Sequence, residues 1–290
     1  MIRKQLLTLW ALFLFASMAI AQDIKPITWK DIPTWKYMPG SAFEISPDGK
    51  WTVYGLVQLE GDGEIILQKV GDESSKKTFK IGSTSYPSMQ FSEDGKWFVY
   101  TEYPTFSEKK ANEKSKGKSL KNKAILVKLG TDEKKEFENV SNYAFNGKAS
   151  SVLAINLSKE GNGDARGSDL LIYHLNSQKA QNLGNVADFS FNKAGNYLAY
   201  TVDAANQSGN GLYLMNVAAN SMQILDSDKA SYRSLAWTEK GDAFAALKMV
   251  KDKKYKQDKG QVIGVKNLAS PQVTVYNPEK DSINFNQAYT

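Results

Sequence analysis

Short alternations of apolar and polar residues run along this chain, and one of them, FEISPDGKWTVY from Phe43 to Tyr54, returns four more times. Aligned without gaps, the copies place Ile45, Phe91, Phe145, Phe191 and Trp237 in register, each followed four residues later by Gly49, Gly95, Ala149, Gly195 and Gly241. The steps between these anchors are 46, 54, 46 and 46 residues. A period of that size, rich in aromatic and β-branched residues and punctuated by turns, is the pattern of an all-β chain: a β-propeller with one four-stranded antiparallel blade per copy. The five anchors are expected at equivalent buried positions.

Copy one predicts an inner strand ending at Phe43 to Ile45, a hairpin at Ser46 to Gly49, and a strand over Trp51 to Leu59. A turn at Glu60 to Gly63 follows, then strands over Glu64 to Val70 and Thr78 to Ile81. Glycine suits the hairpin because positive φ costs it little, and aspartate bonds the nearby backbone. Trp51 and Val53 lie on one strand face and Tyr54 on the other, so both faces are apolar, as a blade packed between two neighbours requires. Copy two repeats this over Met89 to Tyr100, copy four over Phe189 to Tyr200 and copy five over Leu235 to Ala246. Copy three, Ala144 to Ile155, is degenerate, with its turn glycine moved to Gly147.

Three long polar connections, Ser107 to Lys123, Lys159 to Gly167 and Lys248 to Lys259, each join a second strand to a third. They fall at one end of the blades, which marks that end as the functional one. The expected organisation is a signal peptide over 1–21, a lead-in over 22–40 and a partial propeller of five repeats over 41–290. Pro26, Pro33 and Pro39 break regular structure in the lead-in, whose Trp29, Trp35 and Tyr37 are expected to pack on a neighbouring surface. A sixth copy would begin near Ile283, so an incomplete ring is expected, the N-terminal piece of a longer protein; a complete five-bladed propeller is the alternative. In an open ring the outward face of copy five, with Phe244, lacks its neighbour.

The N-terminus changes the picture. Arg3 and Lys4 precede an apolar run from Leu6 to about Ile20, and Ala19-Ile20-Ala21 supplies the small residues of a signal-peptidase site. Cleavage between Ala21 and Gln22 and export to the periplasm or medium are expected. The run is shorter than the roughly 20 residues of a spanning helix and contains Thr8 and Ser17, so no stable membrane insertion is expected. With no cysteine, the exported chain depends on core burial for stability, and 41% apolar residues in 290 can supply it.

Net charge is +6, but Ser107 to Lys123 alone holds seven lysines and two glutamates. The basic balance belongs to one segment, read as a solvated mobile loop, and a nucleic-acid partner is not expected. Candidate chemistry is sparse. The only histidine, His174, sits within an apolar strand; there is no Gly-x-Ser-x-Gly elbow and no His-Glu-x-x-His helix. Asp48 and Asp94 occupy equivalent turns, where backbone hydrogen bonding accounts for them. Gly161-Asn162-Gly163-Asp164 offers oxygen ligands but lacks the spaced acids and closing glutamate of a calcium loop. No catalytic, cofactor-binding or metal-binding residue is assigned, and no cofactor.

The lead-in TWKDIPTWKYMPGSAFEISPDGKWTVYGL (Thr28 to Leu56), the turn EGDGE (Glu60 to Glu64) and the insertion after PTFSEKKANEKSK (Pro104 to Lys116) resemble the N-terminal propeller of secreted prolyl oligopeptidase-family serine peptidases of Bacteroidetes-type bacteria. The resemblance covers the mature chain and none of the family's catalytic part. It implies a propeller that restricts access of peptide substrates to a C-terminal α/β-hydrolase domain, the partner within the same polypeptide, with peptide hydrolysis there and no catalytic residue here. The alternative is a non-enzymatic periplasmic propeller that binds a protein or peptide.

Overall fold

The computed structural model describes residues 26–115, 119–159, 163–251, 259–277 and 281. The signal segment expected over 1–21 lies outside them. Two compact units divide at Trp35. In the first, Thr28 donates through its backbone N–H and its hydroxyl to Asp31 at 2.8 and 2.7 Å, ahead of a single 3₁₀ turn at Ile32–Thr34. Trp29 and Trp35 are 75% and 52% exposed.

The second unit, Lys36 onward, is all-β and antiparallel, the build of a β-propeller-like fold. Among the described residues it contains five four-stranded modules in chain order. Module I is β1 (Phe43–Ile45), β2 (Trp51–Leu56), β3 (Gly63–Lys69) and β4 (Asp72–Gly82). Module II is β5 (Met89–Phe91), β6 (Trp97–Glu102), β7 (Asn122–Lys128) and the first part of β8 (Lys134–Phe145). The rest of β8, β9 (Val152–Leu157), β10 (Ser168–His174) and the first part of β11 (Ala180–Phe191) form module III. Module IV is the rest of β11, β12 (Tyr197–Val202), β13 (Gly211–Asn216) and β14 (Ser221–Ser227). Module V is β15 (Ser231–Trp237), β16 (Ala243–Val250), β17 (Lys259–Lys266) and β18 (Gln272–Tyr276).

β8 and β11 each run through two modules, so β5 to β14 share one ten-stranded sheet while modules I and V are separate sheets. Each long strand changes partners at a register shift, Val140/Asn142 in β8 and Val186/Asp188 in β11. Just before each shift stands an asparagine with positive φ, Asn139 at 61° and Asn185 at 56°. Asparagine tolerates this left-handed backbone better than other non-glycine residues, so the bend is written locally.

Four apolar clusters join the modules in sequence. Val53 and Leu67 of module I meet Phe98 and Val127 of module II; Val99 and Leu126 meet Leu153 and Tyr173 of module III. Ala154 and Ile172 meet Leu198 and Met215 of module IV; Ala199 and Leu214 meet Phe244 and Val265 of module V. Each module thus has a trailing face and a leading face. Burial follows: β6 is buried on both faces, while β2 and β16 alternate between buried and half-buried positions. Phe244 therefore faces module IV and not outward.

The anchors hold equivalent registers, Ile45↔Thr52, Phe91↔Phe98, Phe145↔Leu153, Phe191↔Leu198 and Trp237↔Phe244. Their depths differ. Phe91 and Phe145 are buried, Phe191 and Trp237 are half-buried, and Ile45 is 55% exposed because it belongs to none of the four clusters.

At the opposite strand ends the hairpin turns lock together. Ser46 and Ser92 cap their turns identically, donating to Asp48 and Asp94 at 2.7 Å and accepting from the N–H of Trp51 and Trp97 at 2.9 and 3.0 Å. In modules III and IV asparagine takes this place. Asn146 Nδ2 donates to the Gly195 carbonyl at 2.9 Å, and Asn192 Nδ2 to the Gly241 carbonyl at 3.1 Å, so each turn holds the next.

Glycine at these turns has two distinct causes. Gly49 and Gly195 share positive φ, 70° and 78°, but a Cβ on Gly49 would meet nothing within 4 Å, whereas one on Gly195 would lie 1.5 Å from the Asn146 carbonyl oxygen. Gly49→Ala is expected to cost about 1–2 kcal/mol, the left-handed backbone term alone, and Gly195→Ala several-fold more, measured by urea unfolding. Glu44 gives a second test. Burial raises its carboxyl pKa above 4.5, outweighing a backbone hydrogen bond from Phe91. One oxygen, Oε2, is buried without a partner. A raised folded pKa means stability falls as pH rises through that titration. Glu44→Gln is expected to raise Tm at pH 7 and to give no gain below pH ~4.

Candidate functional site

The connections between second and third strands gather at one end of the modules, and charged side chains there cross from module to module. In module II the connection opens with helix α1, Phe106–Ser115, where a solvated loop was expected. The cause is a capping box: Glu108 N–H donates to Thr105 Oγ1 at 3.2 Å while Thr105 N–H donates back to Glu108 Oε2 at 2.7 Å. The Thr105 N–H, and after it the Thr105 hydroxyl donating to the same oxygen at 2.8 Å, hold the Glu108 carboxyl below the usual range. The helix is tied to module I, with Phe106 N–H on Asp62 Oδ1 at 2.7 Å and Lys109 Nζ on the Ser83 carbonyl at 2.6 Å.

The connection of module III carries Arg166 over modules IV and V. Arg166 meets Asp203 Oδ2 through its N–H at 3.1 Å and Nε at 3.4 Å, and its Nη2 donates to the Tyr232 carbonyl at 3.1 Å. Asp203 is buried, and its other oxygen accepts from Asn210 Nδ2 at 3.2 Å. Asn210 also reaches the Ala230 carbonyl at 2.9 Å. Gly167 is required by close approach, since a Cβ there would lie 2.3 Å from the Asn185 carbonyl and 2.5 Å from that of Asp203.

A second cluster lies between modules IV and V. Lys248 is 8% exposed, with Nζ 2.9 Å from Asp226 Oδ2 and 3.0 Å from Asp228 Oδ2. Tyr232 donates its hydroxyl to Asp226 Oδ2 at 2.5 Å. Burial works to lower the Lys248 pKa, but the bonds to Asp226 and Asp228 outweigh it and the net shift is upward. Lys248 hydrogen bonding depresses Asp228, and burial, followed by the Asp226 bond, pushes the Tyr232 phenol well above its ordinary range. A buried charge must be paired, and this one is paired twice.

Beside the Arg166 connection lies a cavity of about 490 Å³ lined by Asn139, Ser158, Lys159, Gly167, Asp169 and Asn185 among others. Lys159 Nζ turns back to the carbonyls of Gly163 and Ala165. The walls are mixed polar and apolar, suited to holding a polar chain or small polar molecule.

His174 ends β10, half-buried, and takes part in none of the bonds of the Arg166 and Lys248 clusters described above. Asp48 and Asp94 are taken up by their turns, each accepting from a serine hydroxyl and from the N–H two residues on at 3.2 Å. Part of the Gly161 to Asp164 loop lies outside the described residues. Among the described residues no three His, Cys, Asp or Glu side chains converge as metal ligands would. Sequence reading placed Lys248 at the start of a loop and passed over Asp203, Asn210, Asp226 and Tyr232. The available signal was a lysine inside the apolar run Ala243–Val250, now β16, which demands acidic partners.

No family model matches the sequence, and no curated protein does. Solved structures similar to the chain include the β-propeller domain of the trilobed protease from Pyrococcus furiosus, at 14% identity and TM-score 0.46 over 85% of this chain and 73% of that one. A prolyl endopeptidase is similar at 13% identity and TM-score 0.48, over 86% of this chain and 37% of its own. A putative TolB from Agrobacterium tumefaciens is similar at 12% identity and TM-score 0.41, over 83% and 80%.

Lys248→Met would strand two carboxylates and is expected to cost about 3 kcal/mol at pH 7, the usual loss for breaking a buried pair. The depressed Asp228 contributes stability above the unfolded carboxylate pKa that is lost as pH falls through its folded value. The raised Lys248 contributes below the unfolded lysine pKa, and that part is lost above its folded value. Chemical denaturation of wild type and variant should therefore converge below pH ~3 and at strongly alkaline pH.

Proposed function

We propose that this chain is the substrate-gating propeller of an exported prolyl oligopeptidase-like serine peptidase, with peptide hydrolysis carried out by a C-terminal α/β-hydrolase domain outside these 290 residues. The observation that carries this reading is the mismatch between the two terminal faces. At the leading-face positions filled by Phe98/Val127, Leu153/Tyr173, Leu198/Met215 and Phe244/Val265, module I has Thr52/Gln68. At the trailing-face positions of Val53/Leu67, module V has Ala245/Gly264. Those small residues open a groove of about 360 Å³ with Ala236, Ala243, Thr274 and Tyr276.

A groove of alanine and glycine takes a large apolar knob, and Gln68 is a poor one because its amide would be buried without partners. Module V therefore suits a further module with an aromatic leading face better than it suits module I. That supports a propeller of more than five blades, continued in the same polypeptide, which in the family resembled here precedes the hydrolase. The inter-module charge network supports a rigid mouth for gating. On this reading the chain is exported, cleaved between Ala21 and Gln22, and meets peptides without cutting them.

The purified chain is expected to hydrolyse no peptide substrate and to incorporate no serine-directed fluorophosphonate. The reading frame beyond Thr290 is expected to encode further copies and then Gly-x-Ser-x-Gly, Asp and His in that order. Stoichiometric labelling of a serine in the pure chain would overturn the reading, as would a downstream frame with neither copies nor elbow. The latter result would favour a periplasmic propeller that binds a protein or peptide.

A further inference from the structure

We propose that the outer edge of module V is a self-association surface, on which β18 pairs antiparallel with β18 of a second copy about a two-fold axis through Thr274. β18 is the last strand of its sheet, with β17 on one side, and all five of its residues are exposed. Val273, Val275 and Tyr276 are 37%, 44% and 41% exposed.

The repeat supplies an internal standard for this edge. Val273 and Val275 pair with Val265 and Ile263. The equivalent residues of module II, opposite Val127 and Ile125, are Lys134 and Glu136, which form an ion pair at 3.1 Å. Charge, lysine above all, is the usual protection of an exposed edge strand. The fourth strand of module I is protected in the same way by Asp72, Glu73, Lys76, Lys77 and Lys80. β18, Gln-Val-Thr-Val-Tyr, has no charge at all.

Its sequence also fits itself. Antiparallel pairing centred on Thr274 sets Thr274 against Thr274 of the partner subunit and each Val273 against a valine, with Gln272 facing tyrosine. Threonine pairs and β-branched pairs are favourable across antiparallel strands. The other apolar edge, β14, carries Met222 and Ile224 at 51% and 66% exposure, but pairing centred on Ile224 would set Met222 against an aspartate. A two-fold contact of this kind is closed, so it ends at a dimer. A five-residue edge buries less than the ~1,200 Å² typical of stable interfaces, so the dimer is weak and concentration-dependent.

Sedimentation of the full chain across a wide concentration range should show a monomer–dimer equilibrium. Placing lysine at both positions, Val273→Lys/Val275→Lys, sets like charges opposite each other in this register and should weaken it at least tenfold while Tm is unchanged. Because the chain has no cysteine, single substitutions read the register directly. Thr274→Cys should oxidise to a disulfide dimer, whereas Val273→Cys should not exceed a Glu73→Cys control, its partner copy being offset by two residues along the strand. Ala245→Arg, which blocks the neighbouring groove, should leave the equilibrium unmoved. A monomer at all concentrations, equal crosslinking at 273 and 274, or a dimer abolished by Ala245→Arg and not by the double variant would overturn the proposal.

Discussion

The structure depends on burial of apolar surface between successive sheets. Each interface has the same grammar, a trailing pair such as Val53/Leu67 receiving a leading pair such as Phe98/Val127. Because both faces of an interior strand are used, a module is not a stable object alone. Its core is half its own and half its neighbour's, and no disulfide relieves that dependence. Non-directional burial would tolerate small rotations between sheets. The directional bonds at the two strand ends remove that freedom, Asn146 and Asn192 at the turns, Arg166 with Asp203 and Lys248 with Asp226 at the loops.

Much of this was legible in the sequence, because period and turn chemistry are local. The anchors, the Asp-Gly turns and the shift of the third turn to Gly147 all follow from residues within a dozen positions of one another, and the strands sit where the alternation put them. Depth was not legible. Ile45 and Phe91 occupy the same register, and only the presence or absence of a neighbouring sheet separates an exposed isoleucine from a buried phenylalanine. The orientation of Phe244 failed for a related reason, since choosing a face needs the order of packing as well as the alternation.

The site was harder still. Arg166 and Asp203, like Lys248 and Asp226, lie far apart in the sequence and meet only because the modules bring one strand end together. Two local signals were nevertheless present, Thr105-Phe106-Ser107-Glu108 as a helix start and a lysine inside an apolar strand. Both were masked by the surrounding run of charge, which reads as loop when composition is weighed above position.

The long strands β8 and β11 have a mechanical meaning. Modules II, III and IV are sewn into a single hydrogen-bonded sheet, whereas modules I and V are sheets of their own. Tension or thermal opening meets two kinds of seam in one molecule. Peeling a terminal module away need break no ladder, but parting the middle three means tearing a continuous backbone weave at Asn139 or Asn185. Within the second unit the middle three modules form one hydrogen-bonded plate to which modules I and V are fastened at separate points, and slow amide exchange should map the plate, with the terminal modules exchanging through openings of their own.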